Sequence, residues 1–178
     1  MDRGTPIESS APAASAAPRS ARWKGWARDA AIVIVIFAAV RLYQTWDLPS
    51  GPVPPIDGHD LEGRALSLGG ARERPVLVHF FATWCGVCRA EQPNVSAIAR
   101  DHDVLLVATS SPPLEVREWI AHEPVEPADV LMDRDASIAR AFGVRAFPTS
   151  FWVGTDGHIR HVEVGYTSEL GMRLRFWM

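Results

Sequence analysis

The chain has 178 residues, of which 47% are hydrophobic and 22% charged, a size and composition that suit one globular domain with appended segments. Its formal net charge of −3 gives no indication of a nucleic-acid-binding protein, since such domains carry clustered basic charge. It contains two cysteines, Cys85 and Cys88, which stand close together near the middle of the chain.

The N-terminal part of the chain is predicted to be a tail followed by a membrane anchor. Residues 1–22 are rich in Ala, Pro and Ser without apolar periodicity, which predicts a disordered cytoplasmic tail. Residues 30–40 carry no polar side chain, and they lie between Trp26 and Trp46, which are about 30 Å apart along a helix, the thickness of a bilayer core. We therefore expect residues 23–47 to form a single transmembrane anchor.

Two alternatives exist for this apolar segment. It has the length of a signal-peptide core, but no small-x-small cleavage site follows it. A buried soluble helix would need a packing partner that the short N-terminal region does not supply. Basic residues precede the span, and after Arg41 none appears until Arg64, so the positive-inside rule places the N-terminus in the cytoplasm. The expected location is the inner (cytoplasmic) membrane, single-pass, with the rest of the chain in the periplasm, where disulfides persist.

The remainder of the chain is predicted to be a linker and one domain. Residues 48–55 contain four prolines, which predicts an extended Pro-rich linker, and residues 56–178 form the domain. Periodicity and turn signals predict a hairpin, then strands alternating with helices, then a second hairpin and a closing helix. The predicted elements are a hairpin in 56–68, a strand 76–81, a helix containing Pro93, a strand 104–108, a helix 113–122, a short apolar stretch 130–132, a helix 135–142 ended by Gly143, a strand 150–153, a turn 155–158, a strand 159–164 and a helix 167–177 with Leu170, Leu174 and Trp177 on one face.

This order of elements implies an α/β fold in which a mixed sheet has helices on both faces. Cys85 and Cys88 stand where the strand 76–81 gives way to a helix. At a helix start the backbone N–H groups lack partners and the helix dipole is positive, so Cys85 would be favoured as a thiolate, the attacking species. Cys88, one turn into the helix, would be more buried and would act as the resolving thiol.

Three other uses of the cysteine pair are less favoured. A haem attachment site needs histidine at position 89, where the chain has arginine. Zinc would need two further ligands, and no second Cys-x-x-Cys or suitably spaced histidine pair supplies them. A structural disulfide across such a short loop would constrain the unfolded chain little. The pair therefore predicts redox chemistry.

The same residues carry a family resemblance. The segment from Phe80 to Cys88 (FFATWCGVC) resembles the active-site segment of thioredoxins, Pro93 matches the proline in their first helix, and Phe147-Pro148-Thr149 matches their cis-proline loop. Extra strands before residue 76 and an insert near 110–132 resemble the membrane-anchored, extracytoplasmic TlpA/ResA-type branch. The closing segment 165–175 resembles the suppressor-for-copper-sensitivity D type. The resemblance covers roughly residues 50–178 and implies a thioredoxin-like fold.

The resemblance also implies roles for individual residues. Cys85 would be the nucleophile and Cys88 the resolving thiol, while Trp84, Phe147 and a cis Pro148 would bind the substrate. Pro148 offers no N–H, which would leave the backbone of Phe147 free to pair with a bound peptide strand.

Two titratable residues compete for the handling of the Cys88 proton. Glu91 matches the acidic residue of TlpA/ResA-type proteins and could shuttle this proton if its carboxyl is buried. The alternative for Glu91 is an exposed helix residue. His79 stands where thioredoxin has a buried aspartate, and we expect a neutral, hydrogen-bonded histidine there.

The expected function is that of a membrane-anchored thiol:disulfide oxidoreductase that reduces periplasmic protein disulfides and exchanges electrons with a membrane thiol/disulfide redox partner. Neither a cofactor nor a bound metal is expected. The alternative is a Cu(I)-binding or copper-delivery module on the same fold, with Cys85 and Cys88 as soft thiolate ligands.

Overall fold

The computed structural model describes residues 19–45, 50–122 and 129–177, so the predicted tail lies almost wholly outside the described residues. The first helix, α1 (Arg19–Thr45), begins within the last part of that predicted tail. The chain divides into two compact units, residues 1–40 and residues 41–178. Over the described ranges, no helix combines the length and the apolar character that a membrane span requires.

The second unit consists of short strands and helices that alternate along the chain. In order they are β1 (Gly51–Pro52), β2 (Ile56–His59), β3 (Ala65–Leu68), β4 (Val76–Phe81), α2 (Gly86–Ala99), β5 (Asp103–Thr109), α3 (Pro113–His122), β6 (Asp129–Asp133), α4 (Ser137–Ala141), β7 (Thr149–Val153), β8 (His158–Val164) and α5 (Glu169–Trp177). Six of these strands form one sheet in the order β1-β8-β7-β4-β5-β6, and β2 and β3 form a separate hairpin.

The strand β4 lies at the centre of the sheet. It pairs in parallel with β5 and antiparallel with β7, so the sheet is mixed, as predicted. Every residue of β4 is buried because both faces of the sheet are covered. Leu77 and Phe81 pack with buried residues of α2, α3 and α5, whereas Val78 and Phe80 pack on the other face with residues of α4 and the β2–β3 hairpin.

Part of the predicted linker belongs to the domain. Gly51 and Pro52 pair with β8 at the edge of the sheet, a position that tolerates proline because no ladder partner needs its N–H. The backbone N–H of Val53 donates to the carbonyl of Gly157 at 2.8 Å, and the Val53 side chain is buried in the core. The six-stranded sheet therefore includes Gly51 and Pro52, which lie within the predicted linker.

The helix predicted over residues 135–142 is shorter, spanning Ser137–Ala141. Side-chain carboxylates before it accept hydrogen bonds from its first N–H groups: Asp135 from Ser137, and Asp133 from Ile138 and Ala139. Asp135 thus precedes the helix and is not part of it, because its side chain satisfies a free helix donor. Gly143, with φ of 64°, follows the helix end as predicted.

The apolar face predicted for the closing helix is wrong. Leu170, Leu174 and Trp177 are 68%, 54% and 86% exposed, respectively. The side that faces the core carries Met172, which is completely buried, and Phe176, which stacks on His102 with ring centroids 3.9 Å apart. Both sets have helical spacing, and the neighbouring elements select the set with Met172 and Phe176.

Candidate active site

The two cysteines lie at the N-terminus of α2. Cys85 is the N-cap residue, with extended backbone angles of φ −86° and ψ 109°, and its Sγ accepts a hydrogen bond from the N–H of Cys88 at 3.1 Å. A disulfide joins Cys85 to Cys88, and their Cα atoms are 5.3 Å apart. Because the free N–H groups and the positive end of the helix dipole converge on this sulfur, they would stabilise a Cys85 thiolate in the reduced protein.

The two cysteines differ in exposure in the predicted direction, but both are buried. Cys85 is 8% exposed and Cys88 is completely buried. Only a small part of Cys85 therefore reaches the surface. Its neighbours Trp84, Gly86 and Val87 are exposed, so a partner disulfide would approach Cys85 across these residues.

The residues predicted to bind substrate lie next to the disulfide. The ring of Trp84, which is 66% exposed, meets the ring of Phe147 edge-on, with centroids 5.7 Å apart. Phe147 also packs against the core cluster that contains both cysteines. The Phe147–Pro148 peptide bond is cis, which confirms that prediction, and the carbonyl of Pro148 accepts a hydrogen bond from Gly165 at 2.8 Å.

Glu91 is completely buried, so the alternative of an exposed helix residue is wrong. Its Oε1 accepts a hydrogen bond from the backbone N–H of Thr167 at 2.6 Å. The pKa of Glu91 is raised to about 7, chiefly by burial and to a smaller extent by the negative charge of Glu163, against the lowering effects of the Thr167 N–H and hydroxyl. A carboxyl with this pKa can both accept and release a proton near neutral pH.

His79 is also completely buried, on the face of β4 that meets α2. Its Nδ1 lies 2.9 Å from the hydroxyl of Ser150, and its Nε2 lies 4.0 Å from Oε2 of Glu91. Burial lowers the pKa of His79 to about 4, so the imidazole is neutral at physiological pH, as expected from the sequence. The structure therefore brings both candidate proton-handling residues together.

The comparisons with known proteins agree with this geometry. The sequence model of the family described as Redoxin matches residues 49–172. The chain belongs to the Redoxin family. This assignment, and the structural match described next, confirm the predicted thioredoxin-like fold.

Two relatives and one solved structure illustrate the similarity, each at low sequence identity. The thiol-disulfide oxidoreductase ResA of Geobacillus thermodenitrificans is 27% identical over 111 residues, which cover 60% of this chain and 63% of ResA. The thiol:disulfide interchange protein DsbE of Pseudomonas fluorescens biotype C is 28% identical over 163 residues, covering 84% of this chain and 90% of DsbE. The structure of MTB DsbF in mixed oxidized and reduced forms matches with a TM-score of 0.63 and 26% identity, covering 68% of this chain and 92% of DsbF.

The printed names of these relatives, thiol-disulfide oxidoreductase and thiol:disulfide interchange protein, agree with the predicted enzyme class. The chain spans a little less than two thirds of the length of the ResA proteins that it matches. Within the described ranges, no group of three or more His, Cys, Asp or Glu side chains is arranged to hold a metal ion.

Sequence reasoning missed two residues of this Redoxin site, Ser150 and Thr167. Each contacts a predicted residue, but Ser150 is 71 positions from His79 and Thr167 is 76 positions from Glu91. Ser and Thr are ordinary residues in strands and at helix starts, so no local pattern distinguishes these two. Only the pairing of β4 with β7 and the position of the loop before α5 bring them to the site.

A cavity of about 490 Å³ beside the cysteine segment was also missed. Its wall includes Thr83, whose hydroxyl donates to Oε2 of Glu115 at 2.6 Å, and Trp119, whose ring lies 5.4 Å from the guanidinium carbon of Arg89. Thr83 and Arg89 flank the two cysteines in sequence, and Glu115 and Trp119 come from α3. The cavity is therefore lined both by α3 and by residues that flank the redox pair.

Proposed function

We propose that the protein reduces disulfide bonds in extracytoplasmic proteins through its Cys85–Cys88 pair. The observation that carries this proposal is the disulfide at the N-terminus of α2, with the Cys85 sulfur at the helix N-cap. The names of the relatives, thiol-disulfide oxidoreductase and thiol:disulfide interchange protein, support disulfide exchange as the reaction. The redox potential of the cysteine pair determines whether the exchange runs in the reductive direction.

The reaction proceeds in two exchange steps. In the reduced protein the Cys85 thiolate attacks one sulfur of the substrate disulfide, forming a mixed disulfide and releasing the other sulfur as a thiolate that takes up a proton. The Cys88 thiol then loses its proton, and its thiolate attacks Sγ of Cys85. This attack forms the Cys85–Cys88 disulfide and releases the second substrate thiolate, which also takes up a proton. Two electrons pass from the cysteine pair to the substrate. One of the two protons is balanced by that lost from Cys88, and the other comes from solvent. A redox partner must then reduce Cys85–Cys88 again.

Glu91 is proposed as the acceptor of the Cys88 proton. Cys88 is completely buried, and a buried thiol resists ionisation, so its attack needs a nearby base. Glu91 lies three residues further along α2, on the neighbouring turn, and is itself buried. With its pKa raised to about 7, the carboxyl is matched to this proton transfer near neutral pH.

The substrate is proposed to bind across Trp84, Phe147 and Pro148. Trp84 and Val87 present exposed apolar surface on either side of Cys85, and Phe147 supports the Trp84 ring from its edge. An extended peptide segment beside a substrate disulfide can place apolar side chains on this surface. Its backbone can also form hydrogen bonds with the main chain of Phe147.

We also propose that α1 anchors the protein in the inner membrane, with the Redoxin domain in the periplasm and a membrane thiol/disulfide protein as its electron donor. Apolar side chains from Ile32 to Phe37 are at least half exposed on all sides of α1, which favours an apolar environment. The resemblance to the suppressor-for-copper-sensitivity D type makes copper stress a proposed physiological context. Carbonate extraction of membranes tests the anchor, and recovery of a shortened, fully soluble mature form would contradict it.

A redox titration of the full chain, combined with an insulin reduction assay, tests the proposed activity. A reductant should show a potential near about −270 mV, whereas a value near about −120 mV would indicate an oxidant. The Cys85→Ser variant is the inactive control. Titration of the reduced protein with Cu(I) tests the alternative function, because stoichiometric binding without insulin reduction would favour a copper module over disulfide exchange.

A further inference from the structure

Two polar atoms face each other in the core beneath the redox pair without a hydrogen-bond partner. They are Nε2 of His79 and Oε2 of Glu91, which are 4.0 Å apart, and within the described part of the chain neither has another partner. Both side chains are completely buried. Buried polar groups are rarely left unpaired, because each lost hydrogen bond costs stability, so this pair requires an explanation.

The contact on the other side of the imidazole indicates where its proton lies. Nδ1 of His79 is 2.9 Å from Oγ of Ser150, and among the described residues it is the hydroxyl's one hydrogen-bond partner. If Nδ1 carried the proton, it would donate to Oγ, and the buried hydroxyl hydrogen would have no acceptor. If Ser150 donates to Nδ1, the hydroxyl is satisfied and the proton of the neutral ring lies on Nε2. The second arrangement directs an N–H toward Glu91.

We propose that His79 is a positioning residue for disulfide exchange, held by Ser150 with its proton on Nε2 so that it donates to Oε2 of Glu91 whenever that carboxyl is ionised. The inference rests on the proposed role of Glu91 as the acceptor of the Cys88 proton. Oε1 is already bound to the N–H of Thr167, so His79 would complete the stabilisation of the carboxylate.

The 4.0 Å separation is too long for a hydrogen bond in this structure. A protonated carboxyl needs no donor at Oε2, whereas a carboxylate accepts one. Closure of the gap by about 1 Å would form an ordinary hydrogen bond. We therefore expect the His79–Glu91 contact to shorten when the carboxyl ionises.

The other groups around Glu91 do not replace this donor. Glu163 of β8 contributes a negative charge that raises the pKa of Glu91, and Arg175 of α5 neutralises part of it through an ion pair with Glu163. Thr167 contributes its backbone N–H to Oε1, and its buried hydroxyl, which makes no hydrogen bond to the described residues, also lowers the pKa of Glu91. Cys88 precedes Glu91 on α2. The raised pKa of Glu91 and the lowered pKa of His79 are both consistent with a neutral imidazole beside a carboxyl that changes its charge.

The pH dependence of disulfide exchange tests this proposal. The variant His79→Phe keeps a flat ring but removes the donor. In this variant the step of the pH–rate profile that is assigned to Glu91 should shift to a pH about one unit higher, because one hydrogen bond to a charged group has been lost. His79→Gln, which can place an amide N–H near the same point, should restore most of the original profile. Ser150→Ala leaves the imidazole without its holding contact and should give a smaller shift in the same direction.

A double variant separates this role from a structural one. In Glu91→Gln there is no carboxyl to stabilise, so adding His79→Phe should leave the pH–rate profile unchanged. A further shift in the double variant would mean that His79 acts on the thiols without Glu91, and the proposal would be overturned. An unchanged profile in folded, active His79→Phe would overturn it as well. If the wild-type protein shows no exchange activity, the proposed function itself has failed.

Nitrogen NMR of the wild-type protein provides a test that does not depend on folding of the variants. The ¹⁵N shifts of His79 should show a neutral ring protonated on Nε2 at pH 7. A ring protonated mainly on Nδ1 would contradict the proposal.

Discussion

The two faces of β4 are both completely buried, yet they carry different chemistry. On one face, Phe80 meets Phe142 and Phe151, with ring centroids 5.0 to 5.6 Å apart among the three, inside a cluster of apolar side chains. On the other face, His79 lies between apolar neighbours and points its Nε2 toward Glu91, with a gap of 4.0 Å.

The two faces of β4 therefore contribute differently to the stability of the domain. The aromatic cluster buries large apolar surface with favourable edge-to-face packing. The His79–Glu91 pair leaves two buried polar atoms unpaired, which lowers stability. Since the costly face is the one beneath Cys85 and Cys88, its polar groups are best explained by the redox chemistry, and substitutions on the two faces should have opposite consequences.

The largest effect on function should come from the cysteines themselves. Cys85→Ser should abolish insulin reduction, and Cys88→Ser should accumulate mixed disulfides through Cys85, because the resolving thiol is absent. Neither variant should lose much stability, since a disulfide across three residues constrains the unfolded chain little. Non-reducing electrophoresis and denaturant unfolding measure the two effects. More efficient trapping by Cys85→Ser would show that the two roles are reversed.

The apolar face should show the converse behaviour. Phe151→Ala removes a completely buried ring from the aromatic cluster and should cost about 3–5 kcal/mol of unfolding free energy. The pH–rate profile of the folded fraction should remain that of the wild type, because no group near the cysteines changes.

Trp84→Ala is the matched control among aromatic residues. Its ring is largely exposed, so we expect little loss of stability but weaker binding of protein substrates, seen as a higher KM. A large stability loss in Trp84→Ala, or a shifted pH profile in Phe151→Ala, would remove the distinction between the two faces.

Much of this contrast could be predicted from the sequence. The apolar run 76–81 predicted β4. The spacing of Cys85 and Cys88 at a strand–helix junction predicted the redox site and the N-cap position. These features depend on local patterns, which the sequence displays directly.

Other features depend on contacts between distant segments, and the sequence does not display them. The burial of Glu91 requires the loop at Thr167, and the orientation of the His79 ring requires Ser150 of β7. In α5, two apolar sets had helical spacing, and only the neighbouring side chains His102 and Trp152 show that Phe176 faces inward.

The unfolding free energy should depend on pH through His79 and Glu91, and the two residues should act in opposite directions. The folded pKa of Glu91 is raised from 4.5 to about 7. Its stabilising contribution to the unfolding free energy is therefore fully present below pH 4.5 and is lost as the pH rises to about 7. The folded pKa of His79 is lowered from 6.5 to about 4, so its contribution is present above pH 6.5 and is lost as the pH falls to about 4.

Between about pH 4.5 and 6.5 the two slopes therefore oppose each other in the wild-type protein. Relative to wild type, Glu91→Gln should gain stability with rising pH, and His79→Phe should lose it, each by up to about 3 kcal/mol across the range. Urea unfolding at several pH values measures these differences. Parallel curves for the three proteins would show that neither group changes its protonation on folding.

The smallest effects should come from the apolar residues that α5 leaves exposed. Leu174→Ala should change the unfolding free energy by no more than about 0.5 kcal/mol, because the side chain is already more than half in solvent. Met172→Ala on the same helix should cost about 2–5 kcal/mol, since Met172 is completely buried. Denaturant unfolding of both variants measures the difference. Equal losses in the two would mean that Leu174 packs against the core in solution, and the face predicted from the sequence would then be correct.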